Sequence, residues 1–290
     1  MFSAYLIHLL ILICIYLILS LALQLAIGYT GLVNFGHIAF FGVGAYTSAL
    51  LVLNGWPFWA GFLSAGILSA LFGFLISWPT NKFKGDYLAL ATMGFSFVVY
   101  AVLLNWTDLT NGPLGIPGIP KPQILGFSFI DNSDFLVLAI GITIISYLII
   151  KRITVSQFGK VLEAIRDDEL AVKVLGKDTL KMKSYALAIS AFFAGIAGSL
   201  YAHYLTYIDP SSFAIMELVP VLLIVIVGGL ASLEGTILGT FLIILIPEAL
   251  RFVGFSSSIV GPMRQILYAL ILLLILIYKP RGFYGKVDLE

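Results

Sequence analysis

The strongest constraint on the fold is a succession of long apolar runs, beginning at 4–27, where the chain carries no Asp, Glu, Lys or Arg. A helix needs about 20 such residues to cross a hydrocarbon core ~30 Å thick. This first run lacks a basic leading flank and is too long for a secretory signal, so it is expected to remain as a span. Eight further runs follow at 38–53, 58–77, 87–104, 135–150, 185–205, 213–227, 236–250 and 263–278. None shows the charged stripe that a soluble surface helix presents every third or fourth residue. Hydrophobic residues make up 60% of the chain and charged ones 11%, whereas a soluble domain uses about 25% charged residues to cover its surface. The pattern predicts an all-α, polytopic transmembrane bundle over 1–290, a single transmembrane domain of about eight to ten segments, some short or broken.

The same numbers exclude other classes. A net charge of +1 provides no strongly basic surface for nucleic acid. One cysteine, Cys14, excludes a disulfide framework. His8, His37 and His203 stand at no ligand spacing from one another, so no metal site is expected. Local sequence offers no Ser-His-Asp or paired-carboxylate arrangement, and no catalytic residue is assigned.

Charge also orients the spans, because Lys and Arg concentrate in cytoplasmic loops. Eight of the 16 basic residues lie in 151–183: Lys151, Arg152, Lys160, Arg166, Lys173, Lys177, Lys181 and Lys183. That segment is expected in the cytoplasm, with the loop of Lys82 and Lys84 and the C-terminal Lys279, Arg281 and Lys286. The long loop 105–134 holds Lys121 against Asp108, Asp131 and Asp134, and is expected outside. Its Pro and Gly residues, as in Asn111-Gly112-Pro113, predict a rigid irregular loop. It is a connector or a docking surface, with Asn105, Trp106, Thr107, Asn111, Gly112 and Gly115 as candidate docking residues.

Within the basic segment, Val161, Ala164, Ile165, Ala171, Val172 and Leu175 fall within an arc of about 120° on one helix. Glu163, Arg166, Asp167 and Lys173 lie off the arc, Asp168 interrupts it, and Gly176 supplies a stop. Such a helix is too charged to enter the bilayer and must bury its apolar side in the headgroup interface or in a partner's groove.

Polar residues at membrane depth are costly and informative. Gln24, Asn34, His37, Tyr46 and Thr47 gather around a segment containing Gly31, Gly36, Gly42 and Gly44, and Thr92 and Ser96 add hydroxyls from the fourth run. The candidates for a translocation path are Asn34, Gly36, His37, Gly42, Tyr46, Thr92 and, after Pro247, Glu248. Small residues four apart, as in Gly61, Ala65, Ser69, Gly73 and Ser77 or Ala194, Gly198 and Ala202, are expected to be helix-packing stripes. The "GYTGLVNFG" of 28–36 has an echo in the "GGLASLEG" of 228–235, a pattern that transporters with repeated, broken segments display.

The run from Glu163 through Gly176, continuing as "SYALAISAFFAGIAGSLYA", resembles the branched-chain amino acid ABC transporter permease family of the LivM type. So do "GYTGLVNFGHIAFFGVGAYTSALL", "GDYLALATMGF", "NWTDLTNGPLGIPGIP", "GGLASLEGTILG" and "LLLILIYKPRGFYG", in order along almost the whole chain. The resemblance implies a bacterial or archaeal plasma-membrane subunit that pairs with a second related permease. It also implies two cytoplasmic ATPase subunits and a periplasmic or lipid-anchored solute-binding protein, with membrane lipid around the bundle. ATPase coupling would fall to Glu163, Ala164, Arg166, Glu169, Ala171 and Gly176. The family's Glu-Ala motif matches at Glu163-Ala164 or, with Leu170 inserted, at Glu169 and Ala171. No G-x-x-x-x-G-K-[ST] loop occurs, so ATP and Mg are expected on the partners and no cofactor on this chain. The alternatives are a related importer of urea, amides or another small polar solute, or an ATP-independent channel or secondary carrier.

Overall fold

The computed structural model describes residues 2–80, 85–124, 127–129, 131–252 and 257–285. Lys82, Lys84 and Lys286, which contribute to the expected orientation, lie outside the described residues. The chain runs through α1 (Phe2–Gln24), a π-helical turn (Leu25–Tyr29), α2 (His37–Leu53), α3 (Phe58–Thr80) and α4 (Gly85–Asn105). A loop follows with α5 (Thr107–Thr110) and the short strands β1 (Ile116–Pro117), β2 (Gln123–Ile124) and β3 (Phe127–Ser128). Then come α6 (Asn132–Val155), α7 (Gln157–Asp167), α8 (Glu169–Val174), α9 (Thr179–Leu205) and β4 (Tyr207–Ile208). The chain closes with α10 (Leu218–Gly228), α11 (Leu233–Phe252) and α12 (Ser257–Tyr278).

Each of the nine expected runs coincides with a helix, but their lengths differ from nine equal crossings. Among the described residues, six helices are long and apolar enough to cross a membrane: Ala4–Tyr29, Phe58–Trp78, Tyr87–Asn105, Asn132–Val155, Thr179–Leu205 and Gly261–Tyr278. The expected run at 213–227 is corrected most. Its helix α10 has 11 residues, which at 1.5 Å per residue covers about half the hydrocarbon core. The preceding residues form two tight 3-10 turns, Pro210–Phe213 and Ile215–Glu217, instead of helix. Phe213 is buried there, with rings of Phe41, Tyr46 and Tyr201 around it. A broken span can place irregular backbone at membrane depth where protein surrounds it.

Helix α9 is the central element and packs most extensively on α3 and α2. In lipid, helices gain little from leaving an apolar solvent, so close van der Waals approach selects the contact. The small-residue stripes supply that approach. A Cβ on Gly195 would stand 2.5 Å from the Ala65 carbonyl oxygen, and one on Gly73 2.7 Å from the Ala191 methyl. A Cβ on Gly198 would collide with the Phe41 carbonyl oxygen. The stripes on 61–77 and 194–202 are therefore the seams of the α2, α3 and α9 triplet.

Two groups of short elements and turns are held against the bundle. In one, α7 and α8 sit with the Leu25–Tyr29 turn, the α10–α11 junction and residues 279–285. In the other, β1 pairs antiparallel with β4, Ile116 opposite Ile208 and Pro117 opposite Tyr207.

Candidate functional site

The α7–α8 region is built by three capped helix starts. Ser156 accepts from the Gly159 amide, Asp168 from the Leu170 and Ala171 amides, and Asp178 from the Lys181 amide. Short polar side chains at these positions satisfy otherwise orphaned N–H groups. The expected single amphipathic helix is therefore corrected to two, because the Asp168 carboxylate caps a new helix and its backbone is extended at φ −153°. The break divides the expected apolar face. Ile165 and Val172 are buried. Ala164 and Ala171 are exposed, with Leu170, Val174 and Leu175 at 73%, 87% and 78% exposure. Gly176 ends the segment at φ +79°.

Two charged residues anchor this surface. Arg166 faces inward: its guanidinium donates to the Gly28 carbonyl at 2.8 Å and pairs with Asp167. Glu169 accepts from Lys183 at 2.5 Å, from the Thr179 hydroxyl at 3.0 Å, and pairs with Lys173 at 2.9 Å. Burial raises the Glu169 carboxyl, but hydrogen bonds from Lys183, Lys173 and Thr179 outweigh it and hold the group down at about 2. Glu163 is half-buried on α7. The alanines of both candidate Glu-Ala positions, Ala164 and Ala171, are thus exposed.

The path candidates fall into three places. Asn34, Gly36, His37 and Thr92 come together where the irregular segment before α2 meets α4. Asn34 Oδ1 accepts from the Gly36 amide at 2.9 Å, and the Phe35 amide donates to Thr92 Oγ1 at 3.1 Å. Ser96 donates to the Phe35 carbonyl at 2.9 Å, and His37 Nε2 donates to the Leu19 carbonyl at 2.9 Å. Asn34 Nδ2 and His37 Nδ1 are buried with no hydrogen-bond partner among the described residues. Gly42 and Tyr46 form a second layer farther along α2, where a Cβ on Gly42 would stand 3.0 Å from the Phe213 ring. Glu248 stands apart on α11, accepting from Tyr5 of α1 at 2.5 Å and Arg264 of α12 at 2.8 Å.

The loop residues are held to the rest of the bundle. Asn105 ends α4, Trp106 stands at the N-cap position of α5, Thr107 opens that helix, and Asn111 adopts a left-handed backbone from which Nδ2 donates to the Gly115 carbonyl at 2.7 Å. Gly112 and Gly115 both have positive φ. A buried relay then ties the loop to α9: Ser199 donates to Ser48, Ser48 to His203 Nε2, and His203 Nδ1 to the Pro120 carbonyl at 2.7 Å. Sequence patterns gave no sign of that relay, of Phe213 or of Arg264, because each partner is distant in the chain.

The family model described as "Branched-chain amino acid transport system / permease component" matches residues 5–276. The chain is similar to the high-affinity branched-chain amino acid transport system permease protein LivM of Escherichia coli. The two are 36% identical, over 92% of this chain and 67% of the relative. It is 29% identical to the probable branched-chain amino acid transport permease protein LivM of Methanocaldococcus jannaschii, over 92% of this chain and 90% of the relative. It is 23% identical to the permease protein LivH of E. coli, over 95% and 92%. No solved structure matches.

Proposed function

Because the chain belongs to the family of branched-chain amino acid transport system permease components, we propose that it forms one half of the membrane channel of an ATP-driven importer for leucine, isoleucine and valine. It is a multi-pass membrane protein and a transport subunit, with no chemistry of its own in the cycle. Its partners are a second permease of the same family, two cytoplasmic ATPases that bind ATP and Mg, and an external solute-binding protein. Similarity to relatives named LivM and LivH alike supports pairing of two related permeases. The charge bias of 151–183 supports a cytoplasmic position for α7 and α8.

The observation that carries this reading is the outward apolar face of Ala164, Leu170, Ala171, Val174 and Leu175. It sits on helices too charged to enter the hydrocarbon core, and of the two coverings open to it, the headgroup interface and a partner's groove, membership of a transport-system permease family favours the groove. In the cycle, closure of the ATPases displaces α7 and α8 and the attached spans, and substrate released by the binding protein crosses past the buried polar group around Asn34 and His37. The loop 105–134, braced by His203, offers the docking face on the other side.

The test is a double substitution, Leu170→Asp with Leu175→Asp. Both side chains are largely exposed, so the variant is expected to fold and insert normally while its ATPase subunits no longer co-purify. Full retention of the ATPases would overturn the assignment of this face.

A further inference from the structure

The inward direction of Arg166 carries a second consequence. Gly28, whose carbonyl accepts from Arg166 at 2.8 Å, lies in the π-helical turn Leu25–Tyr29. A Cβ on Gly28 would stand 2.6 Å from the Ala231 amide nitrogen, so this turn is pressed against the α10–α11 junction. One helical turn earlier, the Gln24 amide donates to the Gly229 carbonyl at 2.8 Å and the Ser232 carbonyl at 3.0 Å. That junction is conformationally committed, with Gly229 at φ +103° and Ala231 at φ +58°. Residues after α12 then close onto it: the Phe283 amide donates to the Val227 carbonyl at 2.9 Å and the Tyr284 amide to the Gly228 carbonyl at 3.0 Å. Unbroken contacts thus run from α7 through Gly28 and Gln24 to the α10–α11 junction and on to the end of α12.

We propose that Arg166 and Gln24 are positioning residues that transmit movement of α7 to α10, α11 and α12. Arg166 does not meet the ATPase. Its guanidinium grips the π turn at the end of α1, and Gln24 grips the two carbonyls that bracket the break between α10 and α11. A bidentate amide on a non-helical junction acts as a hinge pin: when α7 shifts, the break moves with it. The half-length α10, continued by the irregular segment that inserts Phe213 between α2 and α9, is the moved part. This inference rests on the proposed ATPase contact at α7 and α8.

The experiment uses the assembled importer, with its second permease, both ATPases and binding protein, in nanodiscs and proteoliposomes. Arg166→Met keeps the stem over Gly31 and removes the guanidinium. Gln24→Met does the same for the amide. Both are expected to retain the ATPases and most ATP hydrolysis, while leucine transported per ATP falls at least tenfold. Arg166→Lys, which still reaches a carbonyl, is expected to recover at least half of the ratio. The double Met variant is expected to fall no further than either single, because both act in one series of contacts. A wild-type transport ratio in Arg166→Met, or additive losses in the double variant, would overturn the transmission role. Loss of the ATPases from Arg166→Met would make Arg166 a docking residue and also overturn it. If Arg166→Met does not fold and insert into the membrane, Arg166→Lys carries the test, and a ratio below a tenth of wild type, or one equal to it with Gln24→Met also at wild type, contradicts the proposal. Retention of the ATPases by Leu170→Asp with Leu175→Asp is a separate result, failing the docking reading.

Discussion

Glu169 shows how a single carboxylate can hold a short helix to the start of a long one. It accepts from Lys183 and Thr179 of α9 while pairing with Lys173 of its own helix. Its folded-state value of about 2 lies below the ordinary 4.5, so the stabilisation is present above 4.5 and fades as pH falls from there toward about 2. Hydrogen exchange in α8, corrected for intrinsic rates, should accelerate across that window, and Glu169→Gln should remove the acceleration; a flat profile in the unsubstituted protein would contradict the clamp. The stop at Gly176 was legible in the residues, whereas Asp168, expected only to interrupt one apolar face, caps a second helix. The direction of Arg166 was not legible. A long aliphatic stem can turn its charge toward water or toward a carbonyl, and helical spacing fixes its angle without revealing what stands opposite.

At the scale of elements, the positions of the spans were readable because about 20 apolar residues have few other uses. Their buried faces were harder to read. Both lipid and protein surround a span with apolar groups, so hydrophobicity does not distinguish its two sides, and small residues become the better signal. Gly198 marks the α2–α9 seam, where an added Cβ meets the Phe41 carbonyl. Gly198→Ala is expected to cost about 1–3 kcal/mol through overpacking, measured by reversible unfolding in mixed micelles; an unchanged midpoint would show that the seam can spread freely. The shortness of α10 was hidden, because 213–216 is as apolar as a helix would be and only tertiary rings fix Phe213 in place. The segments 28–36 and 228–235 meet in the fold, where a Cβ on Gly28 would stand 2.6 Å from the Ala231 amide nitrogen and Gln24 donates to the Gly229 and Ser232 carbonyls.

For the whole molecule, the basic segment and the Pro-rich loop belong at opposite ends of the bundle, and the orientation proposed from the charge bias is open to a direct test. Cys14 is buried, which leaves introduced thiols as the accessible reporters. In intact spheroplasts, Leu114→Cys should react with a membrane-impermeant thiol reagent, and Lys160→Cys should react only after permeabilisation; the reverse pattern would invert the molecule. The central claim is that this chain moves substrate only when ATPases act on α7 and α8. Its most direct measurement is leucine uptake into proteoliposomes containing the two permeases and the binding protein, with and without the ATPase subunits and ATP. Uptake against a gradient is expected only when both ATPases and ATP are present, and is lost with Leu170→Asp and Leu175→Asp. Equal uptake in vesicles that lack the ATPases would contradict the account.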